Sequence, residues 1–95
     1  MHVISRKALQ EFSLKHPQSE TPLDSWYRVA KQAQWHNLAE VKETYSSADL
    51  VDKYIVFNIK GNDYRLIVSI NFRSQTIFIK YVLTHADYDK SKWKT

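Results

Sequence analysis

Apolar residues recur at three- and four-residue intervals through the first half of the chain, then at alternate positions from Tyr54 to Leu83. The first period is helical and the second is that of strands. Residues 1–4 read as a short strand, and Ser5 is placed to cap a helix that runs to about His16, where Pro17 stops it. Ile4 before the cap and Leu9 after it form a hydrophobic staple, while Leu9 and Phe12 begin an apolar face. A second helix begins at Thr21, with Pro22 in its first turn and Asp24 as a cap. Leu23, Trp26, Tyr27, Ala30 and Ala33 give it one broad apolar stripe. Asn37 with Glu40 predicts a shorter helix to about Glu43, and residues 45–52 read as an irregular connection.

Beyond Tyr54, turn signals at Lys60-Gly61-Asn62-Asp63 and Arg73-Ser74-Gln75 divide the alternating region into three antiparallel strands. A symmetric first turn sets Ile59 opposite Tyr64, Phe57 opposite Leu66 and Ile55 opposite Val68. Pairing Asn71 with Thr76 sets Ile70 opposite Ile77, Val68 opposite Ile79, Leu66 opposite Tyr81 and Tyr64 opposite Leu83. Every member of that set is apolar or aromatic, so one face is core, and a one-residue slip would bury Arg65 and Lys80. The other face then carries Tyr54, Val56, Asn58, Arg65, Ile67, Ser69, Phe78, Lys80 and Val82, with Asn58 directly opposite Arg65 and all of them open to solvent. Helices followed by consecutive strands make this an α+β fold, its N-terminal helices on one face of a small antiparallel sheet. Residues 90–95 read as a fraying end.

Ninety-five residues with 43% hydrophobic content fit one small domain, residues 1–95. The chain has no cysteine, which leaves it without disulfides or thiolate metal ligands and suits a cytoplasmic setting. No apolar run approaches the roughly 20 residues of a membrane span, so no membrane partner is expected. The net charge of +4 is placed unevenly: residues 1–50 balance six basic against six acidic side chains, whereas residues 51–95 hold eight basic against four acidic. That asymmetry points to a polyanion or an acidic protein as partner, though ordinary solubilising charge accounts for it equally well.

Arg65 and Lys80 between Tyr54 and Phe78 supply cations for phosphate and rings for unstacked bases, the needs of single-stranded RNA. A half-solvated antiparallel sheet carries such residues without any ligand, and that reading stays open. The turn adds Lys60 and backbone donors near the sheet edge, but one glycine does not make a phosphate loop. Thr84-His85-Ala86-Asp87-Tyr88-Asp89-Lys90 gathers an imidazole, a phenol and two carboxylates. His85 is a candidate proton carrier and Tyr88 a candidate donor or acceptor; the alternative is a capped turn in which Asp87 or Asp89 bonds backbone and Tyr88 packs. A single local imidazole is a poor basis for a metal site, so neither metal nor cofactor is expected. His2, His16 and His36 are dispersed.

The segments Val56-Phe57-Asn58-Ile59-Lys60-Gly61-Asn62 and Thr84-His85-Ala86-Asp87-Tyr88-Asp89, together with Ile4-Ser5-Arg6-Lys7 and Trp26-Tyr27, closely resemble the HigB toxins of type II toxin-antitoxin modules, within the RelE-like superfamily. The resemblance covers essentially the whole chain. It implies a RelE-like microbial RNase fold and an mRNA interferase that cuts mRNA on the ribosome, in the A site beside 16S rRNA. It also implies neutralisation by a HigA-type helix-turn-helix antitoxin. Cleavage in such toxins uses the ribose 2′-hydroxyl as nucleophile and no metal. Carried onto this chain, the resemblance gives Arg65 the role of phosphate-binding arginine, with Lys60 and Lys80 as further cations. His85 becomes the leading general base or acid with Tyr88 beside it, and Arg73, Lys90 and Lys92 become contacts to ribosomal RNA. Two other readings remain: a ParE-like toxin of the same fold that inhibits gyrase, and a non-catalytic RNA-binding module.

Overall fold

The computed structural model describes residues 1–90 and 93. In chain order the elements are β1 (His2–Ile4), α1 (Arg6–Lys15), a 3-10 turn (Pro17–Ser19), α2 (Glu20–Gln32), α3 (Leu38–Thr44), β2 (Asp49–Val51), β3 (Tyr54–Ile59), β4 (Tyr64–Asn71), β5 (Thr76–Thr84) and α4 (His85–Asp89). The five strands form one sheet in the order β1-β5-β4-β3-β2. This is the expected α+β arrangement with one difference: β1 runs parallel to β5, so the sheet is mixed. Residues 45–52, read as irregular, contain β2, a three-residue edge strand paired to β3.

The capping residues act much as their positions predict. Ser5 accepts the Lys7 backbone N–H at 3.1 Å, and Asn37 accepts that of Glu40 at 3.0 Å. Each satisfies a donor that the first helical turn leaves orphaned. The Glu40 carboxylate turns back to accept from the His36 ring and backbone N–H, and these bonds hold its pKa below the usual carboxylate range. Two readings at the N-terminus are corrected. Asp24 caps nothing; the Pro17 turn already leads into α2, and Asp24 instead pairs with Arg6 and Arg28. Ile4, expected to staple onto Leu9, is 40% exposed, because it belongs to the sheet's edge strand.

The helical stripe and the predicted sheet face meet as the main core: Leu9, Leu23, Trp26, Ala30, Trp35 and Val41 pack on Ile55, Phe57, Leu66, Val68 and Ile77. Burying each of the large members contributes about 1.5–3 kcal/mol. The β3–β4 register is the one derived from the first turn, from Ile55 opposite Val68 to Ile59 opposite Tyr64.

The β4–β5 register holds from Asn71 opposite Thr76 to Val68 opposite Ile79, and then shifts. Ile67 pairs with Tyr81, Leu66 with Val82 and Tyr64 with Thr84, which leaves Lys80 as an extra residue in a bulge. Past the bulge the expected faces of β5 are exchanged. Val82, expected outside, packs on the main core, while Leu83 and Tyr81, expected inside, join the opposite face.

That opposite face is only partly open, where the whole of it was expected to be. Val56, Ile67 and Trp93 are buried there as a second small core, with Tyr54, Leu83 and Tyr88 packed around them. Its cover comes from α4 and from Trp93, which is 6% exposed rather than frayed. Residues 91, 92, 94 and 95 lie outside the described residues, Lys92 among them.

Candidate active site at the sheet end

The site forms where three local structures converge. The β3–β4 turn brings Lys60 and Gly61 round with φ of +52° and +63°, a left-handed pair that glycine adopts freely and lysine less so. The Asp63 carbonyl accepts the His85 backbone N–H at 2.9 Å, tying this turn to the start of α4. Thr84 caps α4 by accepting the Asp87 N–H at 3.1 Å. The polar cluster read in the sequence is thus one short capped helix, and its cap fixes which way His85 and Tyr88 face.

Arg65 lies between these pieces. It pairs with Asn58 on one side and Leu83 on the other, and it is 8% exposed. The solvent-displayed arginine expected from the register is therefore a buried one, because α4 covers the end of that face. Its guanidinium satisfies itself locally. Nη1 donates to the carbonyls of Asn62 and Tyr64, each at 3.1 Å, and Nη2 donates to Asn62 Oδ1 at 3.4 Å and to His85 Nδ1 at 3.0 Å. The Tyr88 ring sits 5.5 Å from the guanidinium carbon, close enough for a cation–π contact in a partly desolvated place.

His85 has a second partner, the Asp89 carboxylate at 3.1 Å from Nε2. Both ring nitrogens are thus engaged, so the imidazole expected to accept protons has no idle lone pair in this arrangement. Among the described residues no three acidic or imidazole side chains converge as a metal site.

The remaining candidates divide by position. Lys60 is at the site, paired with Asp63 at 3.3 Å, and Lys90 follows α4, paired with Asp87 at 3.6 Å. Asn58 is half-buried beside Arg65. Lys80 sits at the bulge farther down β5, its ammonium 5.6 Å from the Phe78 ring centroid, where both Phe78 and Tyr81 are 37% exposed. Arg73 is apart from all of these, in the turn at the opposite end of β4, which at seven steps of about 3.3 Å is roughly 23 Å away.

Sequence reasoning missed three contributors. Asn62 supplies two of the acceptors for Arg65, and nothing in a turn asparagine announces that. Tyr81 reaches this face only through the bulge. Trp93 stacks on Tyr88 with ring centroids 5.2 Å apart and donates its indole N–H to the Tyr88 carbonyl at 3.1 Å; a lone tryptophan among lysines was the available signal.

A buried arginine bonded to an imidazole beside a phenol, bordered by exposed lysines, suits stabilisation of charge on a phosphate rather than nucleophilic attack by the protein. Known proteins resemble the chain along most of its length. Residues 19–91 match a family profile described as HigB_toxin, RelE-like toxic component of a toxin-antitoxin system. The chain is 33% identical over 93 residues to the mRNA interferase HigB of Escherichia coli O6:H1 (strain CFT073), covering 95% of this chain and 90% of that protein. It is 34% identical over 92 residues to the mRNA interferase toxin HigB of E. coli strain K12 and to the mRNA interferase HigB of Shigella flexneri, covering 94% of this chain and 88% of each. The chain belongs to the HigB family of RelE-like toxins of toxin-antitoxin systems.

Proposed function

We propose that this protein is an mRNA interferase that cuts mRNA on translating ribosomes in the cytoplasm and is held inactive by a HigA-type helix-turn-helix antitoxin. The observation that carries the reading is the 3.0 Å contact between the Arg65 guanidinium and the His85 imidazole beside Tyr88, which ties a fixed positive charge to an exposed donor edge. In the reaction the ribose 2′-oxygen attacks the adjacent phosphorus, and the 2′-O–P bond forms as the P–O5′ bond breaks. The 2′-hydroxyl proton leaves to a base, and the 5′-oxygen takes up a proton, giving a 2′,3′-cyclic phosphate and a 5′-hydroxyl.

In this scheme Arg65 and His85 stabilise the charge that builds on the phosphoryl oxygens. Tyr88 and Lys60 are the titratable groups next to them that exchange protons with the 2′- and 5′-oxygens. Phe78, Lys80 and Tyr81 extend the same face with two exposed rings and a cation, which suits the nucleotides beside the cut. Arg73, Lys90 and Lys92 belong to contacts with 16S rRNA around the A site. All of this proceeds without a metal.

The deciding experiment is in vitro translation with purified protein, mapping mRNA ends with and without ribosomes. Cuts bearing 5′-hydroxyl ends, dependent on ribosomes, are expected. Growth arrest with intact mRNA would overturn the reading and favour a gyrase inhibitor of the same fold.

A further inference from the structure

We propose that the Nε2 edge of His85 is the binding position for a nonbridging oxygen of the RNA phosphate, that Arg65 sets the imidazole in the donor state this requires, and that Asp89 occupies the position until RNA displaces it. This rests on the ribonuclease reading above and assigns His85 a different task from shuttling protons.

A guanidinium has five N–H donors and no acceptor. The Arg65 Nη2 contact at 3.0 Å is therefore a bond only if His85 Nδ1 presents its lone pair. The neutral ring then carries its single proton on Nε2. The other side of the ring gives the same answer independently, because Nε2 faces the Asp89 carboxylate, an acceptor, at 3.1 Å. Two neighbours from different elements, one buried on β4 and one exposed on α4, thus select one tautomer.

A neutral imidazole held as an N–H donor stabilises charge on an oxygen without giving up the proton. Arg65, buried at 8% exposure with four of its donors used on Asn62, Tyr64 and His85, is then a positioning residue whose charge acts through the ring.

The Asp89 bond differs from the Arg65 bond in burial. The His85 and Asp89 side chains are 50% and 60% exposed, and an exposed imidazole–carboxylate hydrogen bond, no stronger than an exposed ion pair, amounts to a preference of about two- to fivefold. A phosphate that also engages the flanking lysines outcompetes it. Those lysines are in the same condition, since Lys60 is held only by the half-exposed Asp63 and Lys90 only by Asp87 among the described contacts. The carboxylates around His85 stand where substrate oxygens go.

The test uses the full chain with 15N-labelled histidine and multiple-bond NMR, which reads the protonated nitrogen of each imidazole directly. His85 is expected as the Nε2–H tautomer. Titration with inorganic phosphate, and separately with a short RNA made uncleavable by a 2′-deoxy sugar at the cut, is expected to shift the His85 Nε2 signal. His2, His16 and His36 serve as internal references, and the RNA should act at lower concentration than free phosphate.

Asp89→Ala removes the competitor, so the concentration of either ligand that half-saturates the shift should fall about two- to fivefold. Because Asp89 is exposed, this variant folds, and it spares the test from depending on an Arg65 variant. An Nδ1–H tautomer, a shift no larger than that of the reference histidines, or an Asp89→Ala affinity that is unchanged or weaker would each overturn the proposal. None of these readouts involves cutting. A protein that cleaves mRNA but fails them loses this inference and keeps its function, and one that passes them without cleaving keeps the phosphate site alone.

Discussion

Arg65 shows how one residue's burial reverses a prediction. On an open sheet face its removal would leave stability untouched. At 8% exposure, Arg65→Ala leaves the Asn62 carbonyl and side chain without their donor and opens a gap under Tyr88. The expected cost is about 1–3 kcal/mol in urea unfolding, together with loss of mRNA cleavage. Unchanged stability would mean that the guanidinium is displayed to solvent after all. His85 behaves differently, being half exposed. His85→Ala should keep the fold and lower kcat by about 10²–10³ with a much smaller change in KM, the pattern for a donor that acts on the transition state. Equal losses in both would reduce His85 to a contact for RNA.

At the scale of elements, what the sequence disclosed depended on whether the local pattern had one solution or two. The β3–β4 hairpin had one, since a symmetric turn sets the pairing from Ile55–Val68 to Ile59–Tyr64 and a one-residue slip would turn Arg65 into the main core, and that register is observed. The caps at Ser5 and Asn37 were legible because a side-chain oxygen before an apolar run has few other uses. In β5 the run Ile79-Lys80-Tyr81-Val82-Leu83 offers apolar residues to either face, so alternation alone could not reveal where a residue was skipped. The bulge yields a direct test. Deleting Lys80 leaves the pairs Val68–Ile79, Ile67–Tyr81 and Leu66–Val82 as they are, and every later side chain stays on its face. The deletion should therefore fold with stability changed by no more than about 1 kcal/mol, whereas in an unbulged ladder it would turn four residues inside out and cost several times that. Urea unfolding separates the two. Activity should still fall, because the bulge sets the twist at which β5 delivers His85.

For the molecule as a whole, the consequence is a sheet covered by helices on one side and partly covered on the other, with the candidate site at the rim of the lesser core. That second core was hidden from sequence because its central member, Trp93, lies in a short polar segment with no period to mark it. It is also where stability and function are joined. Trp93 packs with Val56 and Ile67, and the same indole stacks on Tyr88 and donates to its carbonyl. Trp93→Ala should thus cost about 3 kcal/mol and also lower cleavage, since Tyr88 loses the surface that holds its ring. Trp93→Phe keeps a flat ring and gives up the indole bond. It should recover most of the cleavage while remaining about 1 kcal/mol less stable than the parent. Unfolding and cleavage measured at a temperature where all three proteins are folded distinguish the roles. If cleavage by Trp93→Ala equals that of the parent there, Trp93 is a packing residue only. If Trp93→Phe cleaves as poorly as Trp93→Ala, the indole hydrogen bond rather than the stack positions Tyr88.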